Sequence, residues 1–533
     1  MRLCGVVFSG VLGCVVAANE IASSTTAAVP RVARLDIRRR PGEQLLSSEG
    51  LTRGSSFGQQ LVHNRTAQAY FATLNIGTPP QSNDLLVDTG SAELWVLEQG
   101  ADICQGPGTC SDTFDPILSS SLELVQEDGF EVVYINNDKA RGDVIQDVIR
   151  VGAAGSNAIV IDDLQFGLVR ESRVDTGILG IGYPTSGVGN HRNIIGELKS
   201  GGHIAAKAYS LYLDDYSSDT GSLLLGGIDR TKFIGSLQTI DVLPTQADTY
   251  THFLVGLDSI VANFSATSGS TQDLYSNQND SSSSSSSSLR VVLDSGTTIS
   301  YLPNELVRSI WKYFGVRDDR NNTGVGLVDC ALATTSVGLT VDFRFSSPPR
   351  SAGPVIKVPF REFIVDNINN KNNNNITLPP DLGFENACSF GLLDSNNSLP
   401  ILGQNFLRSA YVVHDLDHHR IGLAQANLNV SSTAAAPSPG GGGEADSIVE
   451  ITGQGIPISV MGVAFQGATL DDDDAAPGGG GGGTPTTPAG AGNPSQPTGN
   501  TSAGLLYARG SSSRSWWMVS LVLVVSLWCS RAG

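Results

Sequence analysis

Positive charge is scarce in this sequence of 533 residues. It holds 33 lysines and arginines against 52 aspartates and glutamates, a formal net charge of −19. Such a balance argues against a nucleic acid as the partner. The apolar run near the C-terminus, residues 516–529, is shorter than the roughly 20 residues that a membrane-spanning helix needs.

Histidine and helical patterning are also scarce. No histidine lies at metal-ligand spacing beside the cysteines, so we expect no metal and no other cofactor. Runs rich in Val, Ile, Leu and Tyr alternate with Gly, Ser, Asn and Asp, which predicts a mainly β protein. The best helical pattern covers residues 304–314, with Asn304 as its cap and Leu306, Ile310 and Phe314 on one face.

Two short strings carry the most chemical information. Residues 85–91 read Leu-Leu-Val-Asp-Thr-Gly-Ser, and residues 291–297 read Val-Val-Leu-Asp-Ser-Gly-Thr. Two carboxylates brought together from such strings cannot both ionise, so one stays protonated. The charged partner can then act as general base on water, and the neutral partner can act as general acid. Asp88 and Asp294 are the predicted catalytic pair.

The neighbouring residues have predicted supporting roles. Gly90 and Gly296 allow the chain to turn tightly after a buried strand. The hydroxyls of Thr89 and Ser295 are expected to bond backbone across the two loops. A second pair of hydroxyls is expected to bond the outer carboxylate oxygens, and it comprises Ser91 and Thr297.

The similarity of the two halves extends beyond these strings. Trp95 follows Asp88 at the same spacing as Tyr301 follows Asp294. Each half later contains an Ile-Leu-Gly string, at residues 178–180 and 401–403. The alternative is two unrelated strand-turn segments. The extended agreement favours an internal repeat on the scale of half a protein.

At these residues the chain resembles the pepsin-like aspartic proteases, over about residues 66–428. Further matching strings lie at residues 70–81, 174–184 and 221–229. The resemblance implies a bilobal, mainly β fold with a central cleft, formed by lobes at 66–240 and 241–430. It implies an aspartic endopeptidase that hydrolyses peptide or protein substrates.

The resemblance also implies a hairpin flap above the cleft. By position, Tyr134 resembles the flap tyrosine and Trp95 its hydrogen-bonding partner. The alternative for each is an ordinary core or strand aromatic. The chain departs from the family pattern after Tyr134, where residues 135–139 replace the usual Gly-x-Gly. Asn and Asp also tolerate left-handed turn conformations, so a hairpin tip is still expected.

Four cysteines remain once those in the two terminal apolar segments are set aside: Cys104, Cys110, Cys330 and Cys388. They allow three pairings or a metal site. The family resemblance favours Cys104–Cys110 and Cys330–Cys388. Asn-x-Ser/Thr acceptors for glycans occur at Asn64, Asn263, Asn279, Asn321, Asn375, Asn396, Asn429 and Asn500.

The N-terminal residues predict secretion. Residues 1–18 have an arginine, an apolar stretch and a small-residue end, the form of a signal peptide. Residues 19–65 are predicted as a propeptide, because 31–40 are rich in arginine and the family uses a basic propeptide to block an acidic cleft. The alternative is a solvated linker.

Low-complexity sequence fills the remaining segments. Residues 265–288 and the Asn-rich residues 366–375 are predicted as surface loops. Residues 431–502 are rich in Gly, Pro, Ser and Thr and are predicted as a flexible stalk. Within it, the more apolar residues 447–470 fit either a strand pair or a linker element.

The C-terminus has the form of a GPI-anchor signal. Small residues, a polar spacer and an apolar tail follow one another through residues 503–533, and Ser502 is the predicted attachment site. The alternative is a short transmembrane anchor. A secreted, GPI-anchored aspartic protease resembles the fungal yapsin group, which implies cleavage next to basic residues. We expect a monomer at the outer face of the plasma membrane or in the cell wall.

Two other functions remain open at this point. The same fold can serve as a catalytically inactive peptide-binding protein, although both intact Asp strings argue against this. A structural or adhesive cell-wall protein is the other alternative, because low-complexity tracts are common in such proteins.

Overall fold

The computed structural model describes residues 31–39, 69–105, 110, 112–134, 139–152, 158–184, 193–264, 270–277, 288–347, 353–368, 378–428, 447–462 and 525–526. Strands dominate this part of the chain, so the mainly β prediction is confirmed. Several predicted features lie outside the described residues: the signal peptide, the flap tip at 135–138, Ser502, Asn64, Asn279, Asn375, Asn429 and Asn500.

Twelve strands precede or form the first half of the molecule: β1 (Ala33–Arg39), β2 (Tyr70–Ile76), β3 (Gln81–Asp88), β4 (Leu94–Leu97), β5 (Glu123–Val133), β6 (Lys139–Val151), β7 (Ile159–Ser172), β8 (Ile178–Gly180), β9 (Ala208–Tyr212), β10 (Thr220–Leu225), β11 (Gly227–Asp229) and β12 (Phe233–Asp241). In the part of the chain that the structure describes, one α-helix interrupts them, α1 (Ile194–Ser200).

The second half begins with a long strand and contains short helices. Its strands are β13 (Leu254–Phe264), β14 (Ser270–Ser276), β15 (Leu289–Leu293), β16 (Ser300–Leu302), β17 (Arg317–Asp318), β18 (Gly326–Asp329), β19 (Leu339–Phe345), β20 (Val355–Pro359), β21 (Ile364–Asn367), β22 (Ala387–Phe390), β23 (Leu392–Asp394), β24 (Ile401–Leu402), β25 (Ala410–Asp415), β26 (Arg420–Ala426), β27 (Ile448–Glu450) and β28 (Val525–Ser526). Its helices are α2 (Asn304–Phe314), α3 (Leu332–Thr335) and α4 (Gln404–Leu407).

One sheet connects the two halves. Its strand order is β12-β26-β25-β9-β10-β1-β2-β3-β8-β4-β7-β6-β5-β28. Within it, β9 of the first half pairs antiparallel with β25 of the second, so that Leu211 lies opposite Val412. We call the part from β12 to β1 the interlobe sheet. The second half has its own sheet, in the order β20-β19-β13-β15-β24-β16-β23.

The internal repeat is present in the strand pairing. In the first half, β3 runs parallel to β8, and in the second, β15 runs parallel to β24. The Ile-Leu-Gly strings therefore lie beside the strands that lead to the two aspartates. Trp95 lies opposite Ile178 just as Tyr301 lies opposite Ile401. The matched spacings in the sequence thus correspond to matched positions in space.

The helix predicted at residues 304–314 is present, but its predicted cap is wrong. Pro303 occupies the cap position, and Asn304 is instead the first helical residue and donates from its side chain to Asp394. The fully buried face comprises Val307, Ile310 and Trp311, whereas Leu306 and Phe314 are only partly buried. Trp311 also donates its indole N–H to the Leu392 carbonyl at 2.9 Å, which fixes the helix against β23.

Residues 270–276 depart from the surface-loop prediction. They form β14, which pairs antiparallel with β13. The side chains of Ser270, Thr271, Gln272 and Asp273 are exposed, so this strand is held by backbone hydrogen bonds rather than by an apolar face. The polar composition that predicted a loop therefore also fits an edge strand.

The described part of the predicted propeptide lies inside the interlobe sheet. As β1, it pairs with β10 through six residue positions and with β2 through three. Leu35 and Ile37 are buried. Arg34 and Arg39 form ion pairs with Asp229 and Asp219. The sequence predicted a propeptide that blocks the cleft, and it did not predict a strand within this sheet.

Residues 447–462 pack on the body of the protein, where the sequence predicted a stalk. β27 pairs with β11, and Ile451 is fully buried. Among the described residues, no helix combines the length and apolar character needed to cross a membrane.

Candidate active site

The two predicted catalytic aspartates occupy equivalent positions in the two halves. Asp88 is the last residue of β3, and Asp294 follows β15 directly. Both strands are apolar and buried at their C-terminal ends, so each carries its carboxylate into the interior between the halves. The side chains of Asp88 and Asp294 are themselves buried and hydrogen-bonded to each other.

Each carboxylate is held by the same pair of donors. The Gly90 amide donates to Asp88 Oδ1 at 2.8 Å, and the Ser91 hydroxyl donates to Asp88 Oδ2. The Gly296 amide donates to Asp294 Oδ1 at 2.8 Å, and the Thr297 hydroxyl donates to Asp294 Oδ2 at 2.6 Å. The inner oxygens therefore face the backbone turns and the outer oxygens face hydroxyls, a two-fold symmetric arrangement.

A second layer of hydrogen bonds joins the two loops. The Thr89 amide donates to Ser295 Oγ at 3.1 Å, and the Ser295 amide donates to Thr89 Oγ1 at 2.9 Å. The same hydroxyls donate onward to backbone carbonyls, Thr89 to Leu293 at 3.2 Å and Ser295 to Val87 at 2.7 Å. Because each bond crosses from one half to the other, the loops fix the separation of the aspartates.

Both glycines of the loops are required by the close approach. A Cβ on Gly90 would lie 2.7 Å from Asp294 Oδ1. A Cβ on Gly296 would collide with Asp88 Oδ1. Any side chain at either position would therefore push the two carboxylates apart.

Burial controls the protonation of the pair. Removal from water raises the pKa of Asp88. Burial likewise raises the pKa of Asp294, and the charge of the neighbouring Asp88 raises it further. Two interacting carboxyls titrate as a unit, so the pair holds one proton over a wide range of pH. This state supplies one base and one acid at the same site.

The predicted flap residues are in contact. Trp95 Nε1 donates to the Tyr134 hydroxyl at 3.0 Å, and both side chains are buried. Tyr134 lies directly after β5, at the end of the β5–β6 hairpin. Trp95 lies in β4, which follows the Asp88 loop. The hydrogen bond therefore links the hairpin to β4, the strand that follows the first catalytic loop.

Sequence reasoning did not identify two polar residues that support the site. Gln404 is fully buried and donates its Nε2 to the Ser295 carbonyl at 2.7 Å. Tyr209 donates its hydroxyl to the Ile181 carbonyl at 3.0 Å. Gln404 directly follows the second Ile-Leu-Gly string, where the first half has Ile181, so the repeat itself contained a signal for it. Tyr209 had no such signal.

Both predicted disulfides are present, Cys104–Cys110 and Cys330–Cys388.

Three of the predicted glycan acceptors are described, and of these Asn321 is exposed while Asn263 and Asn396 are half-buried. Within the described ranges, no group of three or more His, Cys, Asp or Glu side chains is arranged to hold a metal ion.

Comparison with known proteins gives a consistent result. Residues 69–426 match the family model described as eukaryotic aspartyl protease. The chain is 33% identical to the probable aspartic-type endopeptidase opsB of Aspergillus oryzae, over 75% of this chain and 77% of that protein. It is 33% identical to an acid protease of Saccharomycopsis fibuligera, over 67% of this chain and 80% of that protein. It is 30% identical to secreted aspartic protease 1 of Candida albicans, over 70% of this chain and 85% of that protein.

Proposed function

Because this chain belongs to the pepsin-like eukaryotic aspartyl protease family and is an aspartic-type endopeptidase, we propose that it is a secreted enzyme tethered at the cell surface. In this proposal it cleaves peptide or protein substrates next to basic residues. The observation that carries the activity is the pair of buried carboxyls, Asp88 and Asp294, hydrogen-bonded to each other between the two halves.

The reaction follows from the shared proton. The ionised carboxyl takes a proton from water as the water oxygen attacks the peptide carbonyl carbon. The neutral carboxyl gives its proton to the carbonyl oxygen, which yields a neutral tetrahedral intermediate. When that intermediate collapses, the carboxyl that took the water proton gives it to the amide nitrogen, and the ionised carboxyl takes a proton from one hydroxyl of the intermediate. The C–N bond breaks, the acid and the amine leave, and the pair returns to its singly protonated state.

Substitution of either aspartate tests this activity. We expect Asp88→Asn and Asp294→Asn to abolish peptide cleavage at acid pH, because an amide cannot exchange the proton, while folding and secretion are retained. Asp381→Asn is the matched control, since Asp381 is 67% exposed on the surface. Full activity in either dyad variant would refute the mechanism. The alternative, an inactive peptide-binding protein, is excluded if a statine-containing peptide blocks measurable turnover.

A zymogen is the second part of the proposal, with residues 19–65 as propeptide. The position of β1 in the interlobe sheet supports this part of the proposal. There, Arg34 lies 2.6 Å from Asp229 and Arg39 lies 3.3 Å from Asp219. N-terminal sequencing before and after incubation at acid pH tests this, and an unchanged N-terminus in the fully active enzyme would contradict it.

Secretion and a GPI anchor form the third part, and they define the yapsin-like subgroup. The support is the signal-like residues 1–18, the C-terminal pattern with Ser502 and the names of the secreted Candida relatives. We expect a phosphatidylinositol-specific phospholipase to release the active, glycosylated monomer from cell membranes or walls. Ser502→Leu should abolish this attachment and Ser511→Leu should not. Membrane retention after phospholipase treatment would favour a transmembrane anchor.

The preference for basic residues rests on the yapsin resemblance and on the acidic charge of −19. Cleavage of a diverse peptide library by the purified enzyme tests it. We expect kcat/KM to be about tenfold higher or more for peptides with Lys or Arg beside the cleaved bond. Equal cleavage of matched peptides with Gln in those positions would contradict it.

A further inference from the structure

Residues 447–462, which we call the C-terminal strap, are fastened to the body at both ends. At one end, β27 pairs antiparallel with β11. At the other, the Leu237 amide donates to the Val460 carbonyl at 2.9 Å and the Gly462 amide donates to the Gly235 carbonyl at 2.8 Å. The family match ends at residue 426, so the strap lies beyond the matched region.

The strap covers one face of the interlobe sheet. Side chains of β9 and β25 alternate between two apolar clusters. Tyr209, Leu211 and Val412 belong to the main core, on the side of the catalytic loops. The opposite face carries a second cluster that includes Tyr212, Phe233, Tyr411 and Val413 together with three buried strap residues, Ile451, Ile456 and Val460.

Polar contacts add to this apolar packing. The Ile456 amide donates to Asp415 Oδ2 at 3.3 Å, and Asp415 is fully buried at the end of β25. Arg230 Nε donates to the Met461 carbonyl at 2.7 Å. Glu450 lies 3.6 Å from Arg31, next to β1. These contacts fix the register of the strap as well as its position.

We propose that this face of the interlobe sheet is a docking surface for the chain's own strap, and that these contacts hold the strap even without its covalent connection to the body. A proteolytic cut within 429–446 then leaves the C-terminal part of the chain bound to the catalytic body. Release of the enzyme from anything attached to its C-terminus therefore requires cleavage beyond residue 462 or detachment of the strap.

The test uses the full-length chain with a site-specific protease sequence placed within residues 434–440. After cutting, we expect the fragment that begins before residue 447 to co-elute with the body in size-exclusion chromatography. The variant Ile451→Asp/Ile456→Asp should release the fragment upon cutting. Ile458→Asp is the matched control, because Ile458 belongs to the same strap but is 95% exposed. Separate elution from the otherwise unchanged chain would overturn the proposal.

A milder pair of variants keeps the test informative if the aspartates prevent folding. Ile451→Ala should raise the dissociation rate of the cut fragment about tenfold or more, because removal of most of this buried side chain leaves a cavity. Ile458→Ala should leave the rate unchanged, and equal rates for the two would overturn the proposal. If two copies exchanged their straps, the uncut protein would elute with twice the mass of one chain. That result would also overturn the proposal.

Discussion

Thr89 and Ser295 donate to each other across the junction of the two halves, each from its amide to the hydroxyl of the other, at 3.1 and 2.9 Å. Both residues are buried, so these bonds are not exchanged with water. The relationship ties the geometry of the catalytic pair to the association of the two halves. A change at either residue should therefore affect catalysis and stability together.

Thr89→Val removes the hydroxyl while keeping the shape of the side chain. The Ser295 amide and the Leu293 carbonyl each lose a hydrogen-bond partner in the interior. We expect a loss of about 1–3 kcal/mol in the free energy of unfolding. We also expect kcat to fall about tenfold or more, with little change in KM, because the carboxylates lose their fixed separation.

Denaturant unfolding and steady-state kinetics check this prediction. Thr249→Val is the control, because Thr249 is exposed and its hydroxyl donates to the nearby Ala247 carbonyl. A normal kcat in Thr89→Val would mean that the loops keep their geometry without the crossed bonds.

The sequence predicted those features of the site that the repeat duplicates. Asp88 and Asp294 were identifiable because each follows an apolar run and precedes a hydroxyl residue and glycine. Gln404 was not identified, although a polar residue directly after the second Ile-Leu-Gly string, where the first half has Ile181, was a signal for it. β1 and the strap were not anticipated, since their positions depend on partners far away in the chain, β10 and β11. The apolar residues of the strap fitted a strand pair as well as a linker element, and neither segment has a local pattern that indicates the strand with which it pairs.

The hydroxyl of Ser91 influences the acid limb of activity. Burial raises the pKa of Asp88, and the hydrogen bond from Ser91 opposes that rise because it favours the charged carboxylate. Ser91→Ala should therefore raise the pKa at which the pair takes up its second proton. We expect the acid limb of the kcat/KM profile to move to higher pH. Ser82→Ala, at an exposed site, should leave the profile in place.

His414 limits the stability of the protein in acid. Its ring packs between Tyr209 at 4.6 Å and Phe253 at 4.4 Å, and neither ring nitrogen has a hydrogen-bond partner in the described part of the chain. Burial lowers its pKa to about 3. As pH falls from about 6.5 to about 3, the unfolded chain gains a proton that the folded protein excludes, so stability falls by about 1.4 kcal/mol for each pH unit.

The variant His414→Phe removes this titration. We expect the difference in Tm between pH 6.5 and pH 3.5 to be smaller in His414→Phe than in the unchanged protein. His203→Phe is the control, because His203 is half-buried at the end of α1. Parallel pH profiles of Tm for His414→Phe and the unchanged protein would show that other groups govern acid stability.

The hydrogen bond from Trp95 to Tyr134 connects the flap hairpin to the strand that follows the first catalytic loop. Tyr134→Phe leaves the buried indole N–H without its acceptor, and Trp95→Phe leaves the tyrosine hydroxyl without its donor. We expect each variant to lower kcat/KM about tenfold, and the double variant to lower it no more than either alone. Such a double-mutant cycle measures a coupling of about 1.4 kcal/mol. Tyr313→Phe, at a partly exposed position of α2, serves as the control. Strictly additive losses would show that the two rings act independently and that this bond does not position the flap.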